Sequence, residues 1–178
     1  YIQEEVANLG VSCFSESIQY GTQKGLISQK TLDFVMDNKE TLEAAIDHRR
    51  SERFQYFGLR TVYDRYLLRD PKNRSVFESP QYFFMRVACG LAKSAEEAIS
   101  LYKLTSQLDY LPSTPTLFNS GTLHPQMSSC YLLDSPMDDL RSIYDKYKDI
   151  ALLSKFAGGI GVAYHRVRSR GSLIQGTN

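Results

Sequence analysis

The sequence has no apolar run long enough to cross a bilayer. It has no basic start followed by an apolar stretch and a cleavage site, so no secretory signal is expected. It has almost no net charge: 21 Lys and Arg stand against 20 Asp and Glu, a balance of +1. That balance gives no electrostatic ground for a nucleic-acid or membrane partner. Cysteine is scarce as well. Cys13, Cys89 and Cys130 are widely spaced, with no CxxC pair or neighbouring His cluster of the kind that holds zinc. No metal site is expected, and a reduced, cytoplasmic chain is.

What is there suits one ordinary domain, or two small ones, in 178 residues. A hydrophobic fraction of 42% is enough for a core, and 23% charged residues is normal for a soluble surface. Tyr1 is not a start residue and Asn178 falls inside a Gly-rich loop, so a piece of a larger protein is expected.

The first half reads as helical layers. Residues 1–27 carry weak periodicity around Gly10, Gly21 and Gly25, which predicts one helix and then a loop. Ser28 can cap a helix running to about Asp37, with Leu32, Val35 and Met36 on one face. Residues 39–50 repeat the pattern with Leu42, Ala45 and Ile46 inward, and Ser51-Glu52-Arg53 reads as a solvated turn. Between 54 and 68, Phe54, Tyr56, Phe57, Tyr63 and Tyr66 alternate with Arg60 and Arg65. Such interleaving fits either base stacking on a single strand or a core helix with tyrosine hydroxyls at its edge. The neutral overall charge favours the core helix.

Asp70-Pro71-Lys72-Asn73 is a turn. Ser79-Pro80 opens a helix, with proline in the first turn where its missing N–H costs nothing. Residues 82–92 are apolar on most faces and predict a deeply buried helix, with Cys89 as a small core residue. Ser94 and Glu97 form a capping box for a further helix carrying Ala98, Leu101, Tyr102 and Leu108.

From Leu111 the character changes. Two prolines in LPSTPT exclude a helix interior and predict an extended entry into a strand, with hydroxyls at Ser113, Thr114 and Thr116 placed to donate to an anion. Asn119-Ser120-Gly121-Thr122 is a turn. Residues 128–133, SSCYLL, read as a short strand. On the residues alone, Cys130 in such a strand is inert packing, since no second thiol lies within local reach. Asp138 and Asp139 suit the positive end of a helix dipole. The helix they open carries Leu140, Ile143, Tyr144, Tyr147, Ile150 and Ala151 on one side and Leu152, Leu153 and Phe156 on the other, which predicts a subunit interface. AGGIGV then leads into a strand expected to run to about Val167. Helix-then-strand order excludes a dinucleotide-binding glycine turn. The basic loop from Arg168 through Gly176 offers arginine and backbone amides to a triphosphate.

STPTLFNSGT, SSCYLL and SKFAGGIGVAYHRVRSRGSLIQGTN together closely resemble the large subunit of class I ribonucleotide reductase, in register through the whole second half. DFVMDNKETLEAA and RTVYDRYLLR extend the resemblance more loosely over the first half. The resemblance implies a mixed α/β chain: a helical N-terminal domain over residues 1–110, then the first strands and helix of a ten-stranded α/β barrel over 111–178. It implies reduction of ribonucleoside diphosphates at the 2′ carbon by radical chemistry. Cys130 matches one of two cysteines that supply reducing equivalents and become a disulfide, which reverses the reading from the residues alone. Thr114 and Ser129 match residues holding the substrate's phosphates and ribose, and Gly159 a substrate-contacting backbone position. Asp138, Asp139, Leu140, Lys155, Arg168, Gln175 and Gly176 match contacts to a deoxynucleoside triphosphate or ATP effector.

The implied partners are the remainder of the large subunit, a second copy in a homodimer, a small subunit whose metal cofactor generates the radical, and thioredoxin or glutaredoxin as reductant. The family's radical-bearing cysteine and second reducing thiol are not matched in these residues, so the chain alone is expected to be inactive. Two rival readings stay open: a piece of a cobalamin-dependent reductase, and a non-catalytic nucleotide-binding or dimerisation module.

Overall fold

In a computed structural model, residues 1–155 and 158–174 are described. They divide into two compact units, Tyr1–Met127 and Ser128–Asn178. Residues 111–127 therefore fold with the helices, whereas the sequence reading grouped them with the barrel.

The first unit is built around one helix. In chain order it holds α1 (Ile2–Asn8), α2 (Phe14–Gln23), α3 (Gln29–Asp37), α4 (Lys39–Ala45), α5 (Tyr56–Thr61), α6 (Pro80–Leu91), α7 (Ala95–Ser106) and α8 (Thr114–Asn119). Helix α6 begins as its sequence dictates: the Ser79 hydroxyl accepts from Tyr82 N–H and Pro80 occupies the first turn. All ten residues from Pro80 to Cys89 are buried. Phe83, Phe84, Met85 and Val87 meet Phe14, Ile18 and Phe77 in one core, each such side chain contributing about 1.5–3 kcal/mol by leaving water. Ser28 and Ser94 cap α3 and α7 as expected. Glu97 reaches one residue further back than a capping box requires, accepting from Lys93 N–H at 2.7 Å.

Helix α6 also carries a buried charge. The Arg86 guanidinium donates to both oxygens of Glu78, at 2.9 and 3.0 Å, and to the Ser120 carbonyl at 2.6 Å. Glu78 accepts in addition from Leu68 N–H at 2.7 Å. The loop before α6 and the turn after α8 are thereby tied to one side chain. The same turn lies so close to α6 that a Cβ on Gly90 would collide with the Gly121 nitrogen and the Ser120 hydroxyl. Gly121 itself has φ +77°, where glycine carries no steric penalty.

Several expected elements differ. Residues 1–27 form two helices, not one, because Gly10 at φ +77° breaks the run and Cys13, in extended conformation, restarts it. The helix expected over 39–50 stops at Ala45 and gives way to a 3-10 segment, His48–Arg53. That segment is held by Asp47 N–H donating to the Tyr102 hydroxyl at 3.0 Å. The core helix expected over 54–68 is short, followed by a π turn, Val62–Tyr66. Its ends are pinned, Phe54 stacking on Phe84 and Tyr66 on Phe118. Its middle stays in solvent, with Tyr56 and Phe57 at 74% and 82% exposure. The extended entry expected over 111–116 gives way at Thr114 to α8, after an extended Ser113. Both prolines sit at or before its first turn, the one helical place that tolerates them.

The second unit holds β1 (Cys130–Leu133), α9 (Leu140–Ser154) and β2 (Gly159–Val162). The two strands pair in parallel, with Cys130 opposite Gly159 and Leu133 opposite Val162. Strand, crossover helix and parallel strand is the unit from which α/β barrels are built. Strand β2 ends at Val162, short of the expected Val167, and residues 165–167 turn. Arg166 stabilises that turn by an ion pair of 2.8 Å with Asp134 and by donating its N–H to the Ser135 hydroxyl at 3.1 Å. Among the described residues no helix is long and apolar enough to cross a membrane.

Candidate functional site

Cys130 opens β1 on the strand face that alternation leaves exposed. Its cross-strand neighbour on that face is Gly159, and Gly161 lies opposite Leu132. Gly159 N–H donates to the Ser129 carbonyl at 2.7 Å, which locks the register at this end of the pair. A Cβ at Gly159 would stand 3.4 Å from the Cys130 sulfur and from the Ser129 carbonyl oxygen. Three predicted site residues, Ser129, Cys130 and Gly159, thus meet at one strand end, and the thiol there is open. The inert buried cysteine expected from the residues alone is overturned at Cys130, because period-2 alternation turns it outward while Tyr131 and Leu133 are half-buried. Cys89 contrasts with it: burial in α6 pushes its thiol up to about 12.

Thr114 belongs to the helical unit, as the first residue of α8. It is exposed, and its hydroxyl lies 3.2 Å from that of Tyr66. Beside Tyr66 is a cavity of about 370 Å³ lined by Phe54, Phe57, Phe83, Phe84 and Leu117 among others. Its walls are apolar, so it does not suit a phosphate.

The residues expected to hold an effector fall in two places. At the start of α9 the Asp139 carboxylate accepts from Ser142 N–H at 2.9 Å and caps the helix. Asp138 pairs with Arg168 at 2.8 Å, and Arg168 also donates to the Leu173 carbonyl at 2.8 Å, drawing the basic loop against the helix start. Leu140 follows at 75% exposure. Lys155 lies past the other end of the same helix, about 22 Å away at 1.5 Å per residue. The structure therefore brings Asp138, Asp139, Leu140 and Arg168 together and leaves Lys155 apart. Gln175 and Gly176 lie outside the described residues. Among the described residues no group of three or more His, Cys, Asp or Glu is arranged to hold a metal.

Residues 52–125 match the family model described as ribonucleotide reductase, all-alpha domain, and residues 128–178 the model described as ribonucleotide reductase, barrel domain. The chain belongs to the ribonucleotide reductase large-subunit family. It is 40% identical over 176 residues to the ribonucleoside-diphosphate reductase large subunit of Plasmodium falciparum (isolate Dd2), a match covering 98% of this chain and 22% of that protein. It is 44% identical over 159 residues to ribonucleoside-diphosphate reductase large chain 2 of Saccharomyces cerevisiae, covering 89% and 18%. To the large subunit of Danio rerio it is 45% identical over 154 residues, covering 86% and 19%. The chain thus spans about a fifth of the length of these curated relatives.

Two features of this segment have no local signal in the sequence. Arg166 and Asp134 pair across 32 positions, and no local pattern marks them. Tyr66 was absorbed into an aromatic stretch. Its approach to Thr114 spans 48 positions, and nothing local announces it.

Proposed function

We propose that this chain is the part of a ribonucleoside-diphosphate reductase large subunit that supplies one reducing thiol and part of the effector site. Cys130 is that thiol. In the overall reaction the 2′ C–O bond of the ribose breaks, the oxygen leaves as water, and a C–H bond takes its place. The two electrons come from two thiols that close into a disulfide, Cys130 and a second cysteine from another part of the large subunit. Thr114, Ser129 and the Gly159 backbone hold the substrate. The small subunit's metal cofactor supplies the radical that starts the reaction, and a thioredoxin- or glutaredoxin-type dithiol reopens the disulfide in a reducing, cytoplasmic setting. The observation that carries this reading is the exposed Cys130 sulfur beside Gly159 at the end of a parallel strand pair.

Asp138, Asp139, Leu140, Lys155 and Arg168, with Gln175 and Gly176 further along the sequence, bind the effector deoxynucleoside triphosphate or ATP. One small ligand cannot touch both ends of α9 in a single copy. Two copies pairing α9 antiparallel about a two-fold axis would bring the Lys155 end of one to the Leu140 end of the other. The exposed row of Leu140, Tyr144 and Tyr147 on α9 supports that pairing.

The test is Cys130→Ser in a complete large subunit carrying this sequence, assayed with its small subunit and an external dithiol. Substrate binding should survive and turnover should vanish. Turnover at the unsubstituted rate would refute the assignment. Sedimentation of the same protein with and without a deoxynucleoside triphosphate addresses the effector half: dimer formation should rise with the nucleotide and fail in Tyr144→Asp.

A further inference from the structure

Four hydroxyls gather at the turn that opens α8, and each has one proton to give. The Thr116 hydroxyl donates its proton to the Met127 carbonyl at 3.2 Å. Ser113 Oγ lies 3.2 Å from Thr116 Oγ1. With the Thr116 proton committed, Ser113 must be the donor in that pair. Neither has a proton left for a ligand. Tyr66 and Thr114 differ. Their oxygens are 3.2 Å apart, and two O–H groups sharing one hydrogen bond leave one proton over, whichever of them donates.

We propose that the Tyr66 hydroxyl donates to the Thr114 oxygen, so that Tyr66 is a positioning residue and the Thr114 proton is left for an oxygen of the ribonucleoside diphosphate. This rests on the reading of Thr114 as a substrate contact. It goes beyond that reading by giving a role to an aromatic residue that lies 48 positions away in the sequence.

The surroundings of Tyr66 suit the role. Its ring stacks on Phe118 with centroids 4.7 Å apart and planes at 15°, and tilts against Phe83 at 6.0 Å. Phe118 is itself part of α8, so ring and helix hold each other in place. Tyr66 closes the π turn in which Leu67 N–H donates to the Val62 carbonyl at 3.1 Å. Such a widened turn shifts a side chain off the register of the preceding α-helix, and π turns of this kind recur at functional sites. A threonine hydroxyl alone rotates among staggered positions. Paired with a ring clamped on two sides, it has a preferred one.

The experiment uses a complete reductase large subunit carrying this sequence, with Tyr66→Phe, Thr114→Val and the double variant. Dissociation constants are measured for ribonucleoside diphosphates and, separately, for the deoxynucleoside triphosphate effector, alongside the thermal midpoint. Tyr66→Phe keeps the stacked ring and removes only the hydroxyl. It should weaken substrate binding about threefold to tenfold, the effect of one hydrogen bond, leaving effector binding and the thermal midpoint unchanged. In the Thr114→Val background it should add nothing further, since the hydroxyl it positions is gone. Unchanged substrate binding in Tyr66→Phe, with Thr114→Val weakened, would overturn the inference alone. Thr114→Val binding as tightly as the unsubstituted protein would overturn the reading beneath it. A parallel loss of effector binding and thermal stability in Tyr66→Phe would make the residue structural and also overturn the inference.

Discussion

Cys130 and Gly159 face each other across paired parallel strands, with room for a single methyl group between the glycine backbone and the sulfur: a Cβ on Gly159 would sit 3.4 Å from Sγ. The thiol's flank is open because its cross-strand neighbour has no side chain. Cys13 is half-buried and lies 3.3 Å from the Ser15 hydroxyl, and Cys89 is buried.

The three thiols should therefore react in a set order. With a neutral disulfide reagent near pH 8, Cys130 is expected to be modified first and Cys13 more slowly. Cys89 should react only on unfolding, because burial pushes its pKa up to about 12 and little thiolate forms. Peptide mass mapping over time measures the order. Modification of Cys89 in the folded chain ahead of Cys130 would contradict the burial pattern.

Arg86 and Glu78 form a buried ion pair that is costly to break. Both are buried, and Arg86→Met would leave the Glu78 carboxylate in the interior without its guanidinium. Loss of one partner of such a pair costs about 3–5 kcal/mol. The double variant Arg86→Met with Glu78→Leu should recover a large part of that loss, since no buried charge remains. Urea unfolding of the two variants distinguishes a charge effect from simple loss of packing.

Asp70 gives the acid limb of stability a definite sign. The Lys24 ammonium at 2.7 Å, the Tyr20 hydroxyl at 2.6 Å and Lys72 N–H at 2.7 Å hold its carboxyl well below the usual carboxylate range. The unfolded chain takes up this proton near pH 4 and the folded state only at lower pH. The contribution is thus full above about pH 4 and shrinks as pH falls toward the folded value. Asp70→Asn should flatten the stability profile below about pH 4 relative to the unsubstituted chain, as read from unfolding at a series of pH values.

Two adjacent aspartates at the start of α9 should behave differently. Asp139 caps the helix through Ser142 N–H, so Asp139→Ala should destabilise α9 by about 1 kcal/mol. Asp138 pairs with Arg168 at a position about one-third exposed, and Asp138→Asn should cost less than about 1 kcal/mol because water screens the pair. Loss of helical signal with denaturant separates the two.

How far the sequence could be read depended on the range of the physics involved. The Ser28, Ser79 and Ser94 caps were legible because a cap and the N–H it accepts from lie within three residues. The pair Cys130 and Gly159 was reachable only through resemblance to known reductases, since 29 positions separate two residues that the sheet register joins. At Thr114 the local signal misled. Proline reads as a helix breaker, yet at the first turn it is compatible with a helix, and packing of Leu117 into the core settled the matter.

By itself, then, the chain's amino-acid order determined the starts of α3, α6, α7 and α9 and its apolar layers, all consequences of short-range hydrogen bonding and periodic burial, and it carried the family resemblance of its second half. Only the tertiary structure decided that the Cys130 thiol is open, that Arg86 finds Glu78 and Ser120 inside the core, and that Tyr66 reaches Thr114. Each of those depends on where the backbone returns after a long excursion. The energy that brings it back is the summed burial of many apolar side chains, which no single stretch of sequence displays.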